Sequence, residues 1–400
     1  EVVKVGGEAD LKKLKKALKD SDIAVDALFG TGISRDIDGI NMQIINAINE
    51  DAKYVISIDV PSGFDSDTGN VLGKCVKADM TVTFEMYKKG FLNPETEKYT
   101  GKILVENIGV PEKTFEKFSD KYFLTDEDMI KNIIPVRGEY SNKGDFGRVL
   151  IVAGSKGFTG ASYISSEAAV KSGSGLVTLG CRPEIQFMLS SMLKEAMTVS
   201  IEDSAFLDAV HKSKAIAFGP GMGNNDDTLN ILKLVLQEAK CPIVIDADGL
   251  NVLSGKLDIL KSAKQDIIIT PHPGEMARLL NEDAESINKN RIEISEKFAS
   301  DYNVIVLLKG HNTVVTDGNK VYVNTTGSSA MATGGMGDCL TGMIASFIGQ
   351  GISPLESAYA AAFIHGYIGD SLADKMYSVN AADLIENIPF FMKKLCRSKE

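Results

Sequence analysis

The sequence predicts an α/β protein made of two domains, each built on a parallel sheet. Four hundred residues exceed what one ordinary hydrophobic core holds, so two domains are expected. Apolar runs such as IAVDALFG (23–30) and RVLIVAG (148–154) are nearly continuous, as in strands that helices cover on both faces. Segments with helical periodicity alternate with these runs, which is the order of a parallel sheet. We place the domains at residues 1–120 and 121–400.

The first domain is predicted to alternate helices at 11–20 and 39–50 with strands at 23–30, 54–63, 78–86 and 102–111. The second domain is predicted to begin its sheet at 148–154. It continues with helices at 161–173 and 184–196 and with strands near 175–180, 215–223, 241–253, 266–270 and 304–324. The pair Asp317-Gly318 predicts a hairpin inside the last of these segments. Repeated strand-end glycines allow several loops to line one cleft.

Bulk composition excludes several classes of protein. The net charge of -11 argues against a nucleic-acid binder or a protein of acidic membrane surfaces. No apolar run approaches the length of a membrane span, and the charged N-terminal segment does not resemble a secretory signal. The five cysteines are scattered without a CxxC pair, which indicates reduced thiols in a cytoplasmic protein.

One stretch, Asn324 to Gln350, organises the functional interpretation. Gly334, Gly335 and Gly337 fall within four positions, Asp338 follows, and apolar residues then recur at helical spacing. This pattern predicts a glycine loop that leads into a helix N-terminus, where backbone N–H groups and the helix dipole attract an anion such as phosphate. Asp338 is then either a helix cap or a group that handles a proton, a metal or a substrate hydroxyl. On the loop alone the two readings are balanced. The glycine density and the rest of the chain favour the second.

Other strand ends of the second domain add polar groups. Lys309 follows an apolar run and precedes a glycine, so it could supply a cation for phosphate, with Thr313 adding a hydroxyl. No Walker A pattern is present. His272 lies between two prolines after a strand, which favours substrate contact over a structural role, whereas Glu275 is predicted to cap the next helix. Asp246 and Asp248 either hold magnesium through waters or only end a strand. His365 lies in an apolar helical segment and is predicted to be a packed core residue.

Three polar motifs end strands of the first domain. They are Asp26 with the turn GTGISRD, Asp59 with Ser62 in DVPSG, and Lys88 after the third strand. In a parallel sheet such strand ends face the ligand crevice. A glycine turn alone is weak evidence, and Asp59 could equally be a hydrogen-bonded loop carboxylate.

The motifs KGDFGRVLIVAGSKGFTGA, AFGPGMG, PIVIDADGLN, TPHPGE, LLKGHNT and TGGMGD follow one another over about 280 residues. In this order they resemble the ADP-dependent NAD(P)H-hydrate dehydratase family, a branch of the ribokinase-like superfamily. The motifs VDALFGTGISRDIDG, SIDVPSGFDSDTG and ADMTVTF resemble the NAD(P)H-hydrate epimerase family. The two together resemble the bifunctional NAD(P)H-hydrate repair enzymes. The resemblance implies a Rossmann-like first domain, incomplete here, and a ribokinase-like α/β/α second domain.

The resemblance also implies site residues. In the second domain the hydrated nicotinamide nucleotide would be bound by Ala161, Gly221, His272 and Asp338. The adenine nucleotide would be bound by Lys309, Gly310, His311, Asn312, Thr313 and Gly337. In the first domain potassium would be held by Asp26 and Ser62, and substrate would be bound by Gly30, Thr31, Gly32, Ile33, Ser34, Arg35, Asp36 and Asp59. Asp338 and Asp59 would be the catalytic groups.

The implied chemistry is a lyase and an isomerase in one chain. ADP, with Mg²⁺ on its phosphates, would drive loss of water from (S)-NAD(P)H-hydrate and yield NAD(P)H, AMP and phosphate. Asp338 would act as base, kept ionised by the helix dipole. The first domain would interconvert the R and S hydrates. Because the family's Asn-Asn-Gly-Gly-Asp loop does not occur in this sequence, we expect epimerisation to be weak or absent. A homo-oligomer is also expected.

Two alternatives stay open at this point. One is a ribokinase-like kinase that phosphorylates a small molecule such as hydroxymethylpyrimidine or hydroxyethylthiazole. The other is a non-catalytic scaffold role for the first domain.

Overall fold

Two separate sheets organise the chain. The computed structural model describes residues 2–115 and 121–396, and the chain divides into the units Glu1–Ser119 and Asp120–Glu400. Both units are α/β, as the sequence predicts. The predicted boundary at 120/121 falls at the end of residues 116–120, which lie outside the described residues.

The first unit holds a four-stranded parallel sheet in the order β1-β2-β3-β4. Its strands are β1 (Ala24–Asp26), β2 (Val55–Ile58), β3 (Met80–Phe84) and β4 (Lys102–Glu106). Its helices are α1 (Glu8–Asp20), α2 (Gly39–Asp51), α3 (Glu97–Thr100) and α4 (Glu112–Phe115), with 3₁₀ turns at Lys89–Leu92 and Pro94–Thr96. Ile45 and Ile48 of α2 pack with Val55 and Val76 in the core. The strand predicted over 102–111 therefore ends five residues early.

The second unit holds a ten-stranded mixed sheet in the order β5-β14-β13-β12-β11-β10-β9-β6-β7-β8. Its strands are β5 (Tyr122–Leu124), β6 (Arg148–Val152), β7 (Leu176–Cys181), β8 (Met197–Ser200), β9 (Ala215–Phe218), β10 (Ile243–Ile245), β11 (Ile267–Ile269), β12 (Ile305–Leu308), β13 (Thr313–Thr316) and β14 (Val321–Asn324). Only the pairs β12–β13 and β13–β14 are antiparallel, and the second pair closes on the turn predicted at Asp317-Gly318.

Thirteen helices of the described residues surround this sheet. The first six after β5 are α5 (Glu127–Ile133), α6 (Thr159–Lys171), α7 (Pro183–Met192), α8 (Ser204–Lys212), α9 (Asp226–Glu238) and α10 (Asp248–Asn251). They are followed by α11 (Asp258–Lys261), α12 (Pro273–Leu280), α13 (Ala284–Lys289), α14 (Arg291–Tyr302), α15 (Met336–Gly349), α16 (Pro354–Ala373) and α17 (Ala381–Leu395). Every residue of β9, β10 and β11 is buried, which explains why these strands are uninterrupted apolar runs. On one face α15 packs against α6 and α16.

The parallel strands β6, β9, β10, β11 and β12 bring their carboxyl ends to one edge of the sheet. The loops that follow them carry the predicted residues near 154–161, 219–223, 246–248, 270–275 and 309–313. Ligands of open α/β sheets bind at this edge. The strand order therefore gathers residues that are far apart in the sequence.

Within residues 2–115 and 121–396, no helix has both the length and the apolar character needed to cross a bilayer.

Candidate active site

The glycine loop leads into a helix N-terminus as predicted. Gly335 precedes α15 with a φ of 92°, a conformation that side chains other than glycine rarely adopt. The first N–H groups of a helix have no partner within it, so they are available to an anion. A Cβ on Gly337 would lie 3.2 Å from Lys309 Nζ, so glycine lets the helix and the lysine approach closely. The loop thus places free amides beside an ammonium group.

Lys309 is already paired with carboxylates. Its Nζ lies 2.7 Å from Asp246 Oδ1 and 3.8 Å from Glu275 Oε2, and the side chain is 19% exposed. Burial works against the charged form, but Asp246 and Glu275 outweigh it and raise the pKa of Lys309. Lys309 is therefore charged, but it is not the uncompensated phosphate cation that its sequence context suggests.

Asp246 is buried and uses both carboxylate oxygens within the protein. Oδ1 accepts from Lys309, and Oδ2 accepts from Thr341 Oγ1 of α15 at 2.8 Å. Asp248 has a different partner, because its Oδ2 accepts a hydrogen bond from the Gly223 amide at 2.8 Å. Asp246 directly follows the end of β10, and its two contacts show that it does more than end a strand. Among the described residues, no group of three or more His, Cys, Asp or Glu side chains forms a metal cage.

Asp338 is the third residue of α15, and the N-cap of this helix is Gly335, which has no side chain to cap it. Burial raises the pKa of Asp338 to about 7, with Asp246 adding to the rise, Lys309 opposing it, and Asp248 and Glu275 contributing further. Burial and three neighbouring carboxylates therefore oppose the ionised form that the helix dipole was expected to favour. A group that titrates near neutral pH can both accept and release a proton.

His272 forms the N-cap of α12. Its Nδ1 accepts from the Gly274 and Glu275 amides at 3.0 and 3.3 Å, while Glu275 Oε2 accepts from the His272 amide at 2.8 Å. Glu275 is thus part of a capping box, in agreement with the sequence. Because Nδ1 accepts, the proton of the neutral ring is assigned to Nε2. Burial lowers the pKa of His272. The side chain is 51% exposed and can offer Nε2–H to a ligand.

Ala161 and Gly221 lie side by side at the same edge. A Cβ on Gly221 would be 3.1 Å from Ala161 Cβ and 2.9 Å from Phe158, and the φ of 65° also favours glycine. Phe158, which the sequence analysis did not single out, is exposed next to both residues. Its position beside two predicted substrate contacts could have been inferred from the loop GSKGFTG.

The six predicted nucleotide residues line a pocket of about 430 Å³. The same pocket is lined by further residues to which the sequence assigned no nucleotide contact, including Asn324, Thr326, Met331, Leu340, His365 and Gly366. His365, which was predicted to be a packed core residue, is also one of the residues that line this pocket, and burial lowers its pKa to about 4. Arg291, also missed, donates to the carbonyls of Leu308 and Lys309 at 2.8 and 3.1 Å and so fixes the Lys309 turn.

Asp26 and Ser62 of the first unit are in direct contact. Ser62 Oγ donates to Asp26 Oδ1 at 2.6 Å, and the Ser62 amide and Ser57 Oγ both donate to Oδ2 at 2.8 Å. The Phe29 carbonyl lies 3.3 Å from Ser62 Oγ. The carbonyl oxygen of Phe29 thus lies next to the oxygens of the two predicted potassium ligands, Asp26 and Ser62. Such an oxygen-rich set suits a hard monovalent cation.

Asp59 lies at the end of β2 with a φ of 65°, a strained conformation for a residue other than glycine. Its Oδ1 is 2.8 Å from Lys88 Nζ and accepts from Thr83 Oγ1 and the Phe84 amide. Burial alone would raise the pKa of Asp59, but the bonds from Lys88, Phe84 and Thr83 outweigh it and lower the pKa. The predicted substrate turn, residues 30–36, is largely exposed beside β1.

The edge of the second unit combines an anion-binding helix start, a nucleotide-sized pocket and a carboxylate that titrates near neutral pH. Together with the sheet order these features define a ribokinase-like enzyme that handles phosphate groups.

Comparison with known proteins identifies the family. The family model for NAD(P)H-hydrate dehydratase matches residues 149–390, and that for the YjeF-related protein N-terminus matches residues 2–90. The bifunctional NAD(P)H-hydrate repair enzyme Nnr of Moorella thermoacetica is 36% identical over 404 residues, covering 97% of this chain and 76% of the relative. The Escherichia coli enzyme of the same name is 31% identical over 359 residues, covering 88% of this chain and 67% of the relative. The chain therefore belongs to the family of bifunctional NAD(P)H-hydrate repair enzymes.

Solved structures resemble the second unit. A ribokinase-like superfamily protein from Enterococcus faecalis has a TM-score of 0.65 and 29% identity, covering 70% of this chain and 99% of that chain. The ADP/ATP-dependent NAD(P)H-hydrate dehydratase from Bacillus subtilis, co-crystallised with ATP/Mg²⁺, has a TM-score of 0.62 and 27% identity, covering 69% and 100%. The predicted fold class is thus confirmed.

Proposed function

We propose that the second unit dehydrates (S)-NAD(P)H-hydrate to NAD(P)H and converts ADP to AMP and phosphate. The observation that carries this proposal is Asp338, a carboxylate with a pKa of about 7 in the first turn of an anion-binding helix. Family membership supplies the reaction. The nucleotide would occupy the pocket lined by residues 309–313 and Gly337, and the hydrate would contact Ala161, Gly221 and His272.

The chemistry requires the ring hydroxyl to become a better leaving group. Asp338 accepts the hydroxyl proton while the hydroxyl oxygen bonds to the terminal phosphorus of ADP, and the bond from that phosphorus to AMP breaks. The C–O bond to the new phosphate group then breaks, phosphate leaves, and a proton is lost from the adjacent ring carbon to form the double bond. The amides at the start of α15 stabilise the charge on the transferring phosphoryl oxygens.

Mg²⁺ on the nucleotide phosphates is part of this proposal. The charged groups that act on Asp338 are the carboxylates of Asp246, Asp248 and Glu275 and the ammonium of Lys309, so polyphosphate binding here would benefit from a further positive charge. The described residues form no preformed metal cage. This fits an ion that is carried by phosphates and keeps several waters. When bound, Mg²⁺ would supply charge neutralisation of the phosphates.

The test is incubation of hydrated NADH with ADP and Mg²⁺ while the absorbance of reduced nicotinamide is followed. We expect the absorbance to rise with equal yields of AMP and phosphate, and we expect no rise with Asp338→Asn. A product that retains the phosphate would instead show a kinase of the same fold and would contradict the proposal.

We further propose that the first unit interconverts the R and S hydrates, with Asp59 as the catalytic carboxylate and the 30–36 turn holding substrate. Potassium would be held by Asp26, Ser62 and the Phe29 carbonyl. Proton NMR of the two hydrate epimers with potassium or lithium salts tests this, and an unchanged rate in lithium would contradict the potassium assignment.

A cytoplasmic homo-oligomer completes the proposal. Four cysteines are buried free thiols, as in a reducing compartment: Cys75, Cys181, Cys241 and Cys339. Light scattering of the purified chain checks the oligomeric state, and a monomer at micromolar concentration would contradict it.

A further inference from the structure

The buried Asp246 carboxylate has no role in the mechanism above, yet it lies between Lys309 and the helix that carries Asp338. We propose that Asp246 is a positioning residue of the dehydratase. It would fix Lys309 against the first turn of α15 and keep a negative charge facing Asp338, so that Asp338 accepts a proton at neutral pH. The proposal rests on the proposed function, because that function makes Asp338 the base.

Asp246 ties two elements together. Its Oδ1 accepts from Lys309 after β12 at 2.7 Å, and its Oδ2 accepts from Thr341 at 2.8 Å. Thr341 follows Asp338 by three residues, so the two side chains lie on the same face of α15. Asp246 is 1% exposed, and the next residue, Ala247, has a φ of 51°. A buried charge beside a strained backbone persists only where the surroundings hold it firmly.

The charges around Asp338 are unbalanced. The groups that face it are Asp246 and Asp248 after β10, Glu275 of α12, and Lys309 after β12. The ammonium of Lys309 is shared with Asp246 at 2.7 Å and Glu275 at 3.8 Å. It therefore compensates Asp338 only in part. The negative surplus favours the protonated carboxyl, and Asp246 is the carboxylate with the largest such effect.

A purely structural role for Asp246 makes different predictions. Asp246→Asn keeps the size of the side chain and an oxygen acceptor for Lys309 but removes the charge. If the charge acts on the site, the titration midpoint of Asp338 falls by about one pH unit. ADP then binds several-fold more tightly, because Lys309 has lost its counter-charge. If Asp246 serves the fold alone, the midpoint stays and ADP binds more weakly.

The experiment measures the Asp338 carboxyl directly. The full chain is labelled with ¹³C-carboxyl aspartate and titrated by NMR without substrates, and the Asp338 signal is assigned by its loss in Asp338→Asn. Asp248→Asn is the matched charge control, since Asp248 bonds to Gly223 and Asn251 instead, and we expect a smaller shift. Thr341→Val retains every charge, and its midpoint should match that of the wild type. Calorimetry of ADP binding gives the second readout.

An unchanged midpoint in Asp246→Asn, or a shift no larger than in Asp248→Asn, would overturn the proposal, as would weaker ADP binding. Should Asp246→Asn fail to fold, Lys309→Met tests the same charge balance. Loss of the one facing cation must raise the midpoint, and no rise would also overturn the proposal. Because the titration needs no turnover, a wild-type protein that fails to dehydrate the hydrate would refute the proposed function without deciding this result.

Discussion

The two carboxylates proposed as catalytic, Asp59 and Asp338, have opposite electrostatic surroundings. Both are partly buried near a lysine at the carboxyl edge of a sheet. Asp59 has Lys88 at 2.8 Å, and its pKa lies below the usual value. Asp338 shares Lys309 with Asp246 and Glu275, and its pKa rises to about 7. A nearby lysine therefore does not decide the protonation of a carboxylate. Burial and the carboxylates that compete for the lysine raise the pKa of Asp338 in spite of it, whereas hydrogen bonds help Lys88 to lower that of Asp59.

The largest expected effect is loss of the base in the second unit. Asp338→Asn should lower the dehydration rate about 10²–10⁴-fold, the usual contribution of a general base, and leave ADP affinity within severalfold. Initial rates from the absorbance assay and calorimetry of ADP binding give the two numbers. An active Asn variant would show that another group takes the proton.

The second-largest effect is expected for Lys309, the lysine that Asp338 shares with Asp246 and Glu275. Lys309→Ala should raise the dissociation constant for ADP about tenfold to a hundredfold, since a charge-assisted contact contributes about 1.5–3 kcal/mol. It should also lower stability by about 3–5 kcal/mol, because Asp246 is left buried without its partner. Calorimetry and urea unfolding separate the two results. Unchanged stability would contradict the pairing of Lys309 with Asp246.

The pH dependence of the second unit should be steep around neutrality. A base works only when deprotonated, so kcat/KM should fall about tenfold per unit as the pH drops below about 7. The folded pKa is raised, so ionisation destabilises the fold as the pH rises from about 4 through 7. Asp338→Asn should therefore raise the melting temperature more at pH 8 than at pH 5. Calorimetric melts at both pH values test the sign, and an equal gain would contradict the raised pKa.

His272 should affect the hydrate rather than the nucleotide. His272→Ala removes both the helix cap and Nε2–H, whereas His272→Asn retains a capping oxygen and loses only the ligand contact. Both variants should raise the dissociation constant for the hydrate about tenfold and leave that for ADP nearly unchanged. Only the Ala variant should lose about 1 kcal/mol of stability. If His272→Asn binds hydrate as wild type does, the substrate assignment fails.

The smallest effect is expected in the first unit. Lys88→Met removes the ammonium group that lies 2.8 Å from Asp59, so the pKa of Asp59 should rise by about one unit. The same ¹³C-aspartate titration measures it. The rise in the pKa of Asp59 is compared with the rise in the pKa of Asp338 in Lys309→Met. A smaller rise for Asp59 would indicate that the hydrogen bonds from Thr83 and Phe84 keep its pKa low without Lys88.

Short-range patterns were enough to predict much of this molecule. The glycine loop before Asp338, the hairpin at Asp317-Gly318 and the cap at Glu275 each depend on neighbouring residues. The pair of Asp246 with Lys309 spans 63 residues, and it forms only because β10, β11 and β12 are adjacent. The pKa of Asp338 depends on carboxylates from two distant segments and on a lysine from a third, so composition and local spacing could not predict it.

The position of β5 has a consequence for biosynthesis. Thr125, just after β5, donates a hydrogen bond to the carbonyl of Val323 in β14, and the two residues are 198 positions apart. On a ribosome that adds 5–20 residues per second, the first strand of the second unit waits about 10–40 s for its neighbour. During that time its backbone groups are unpaired and open to other nascent chains. We expect this strand to be the segment of the second unit that most needs a chaperone during translation.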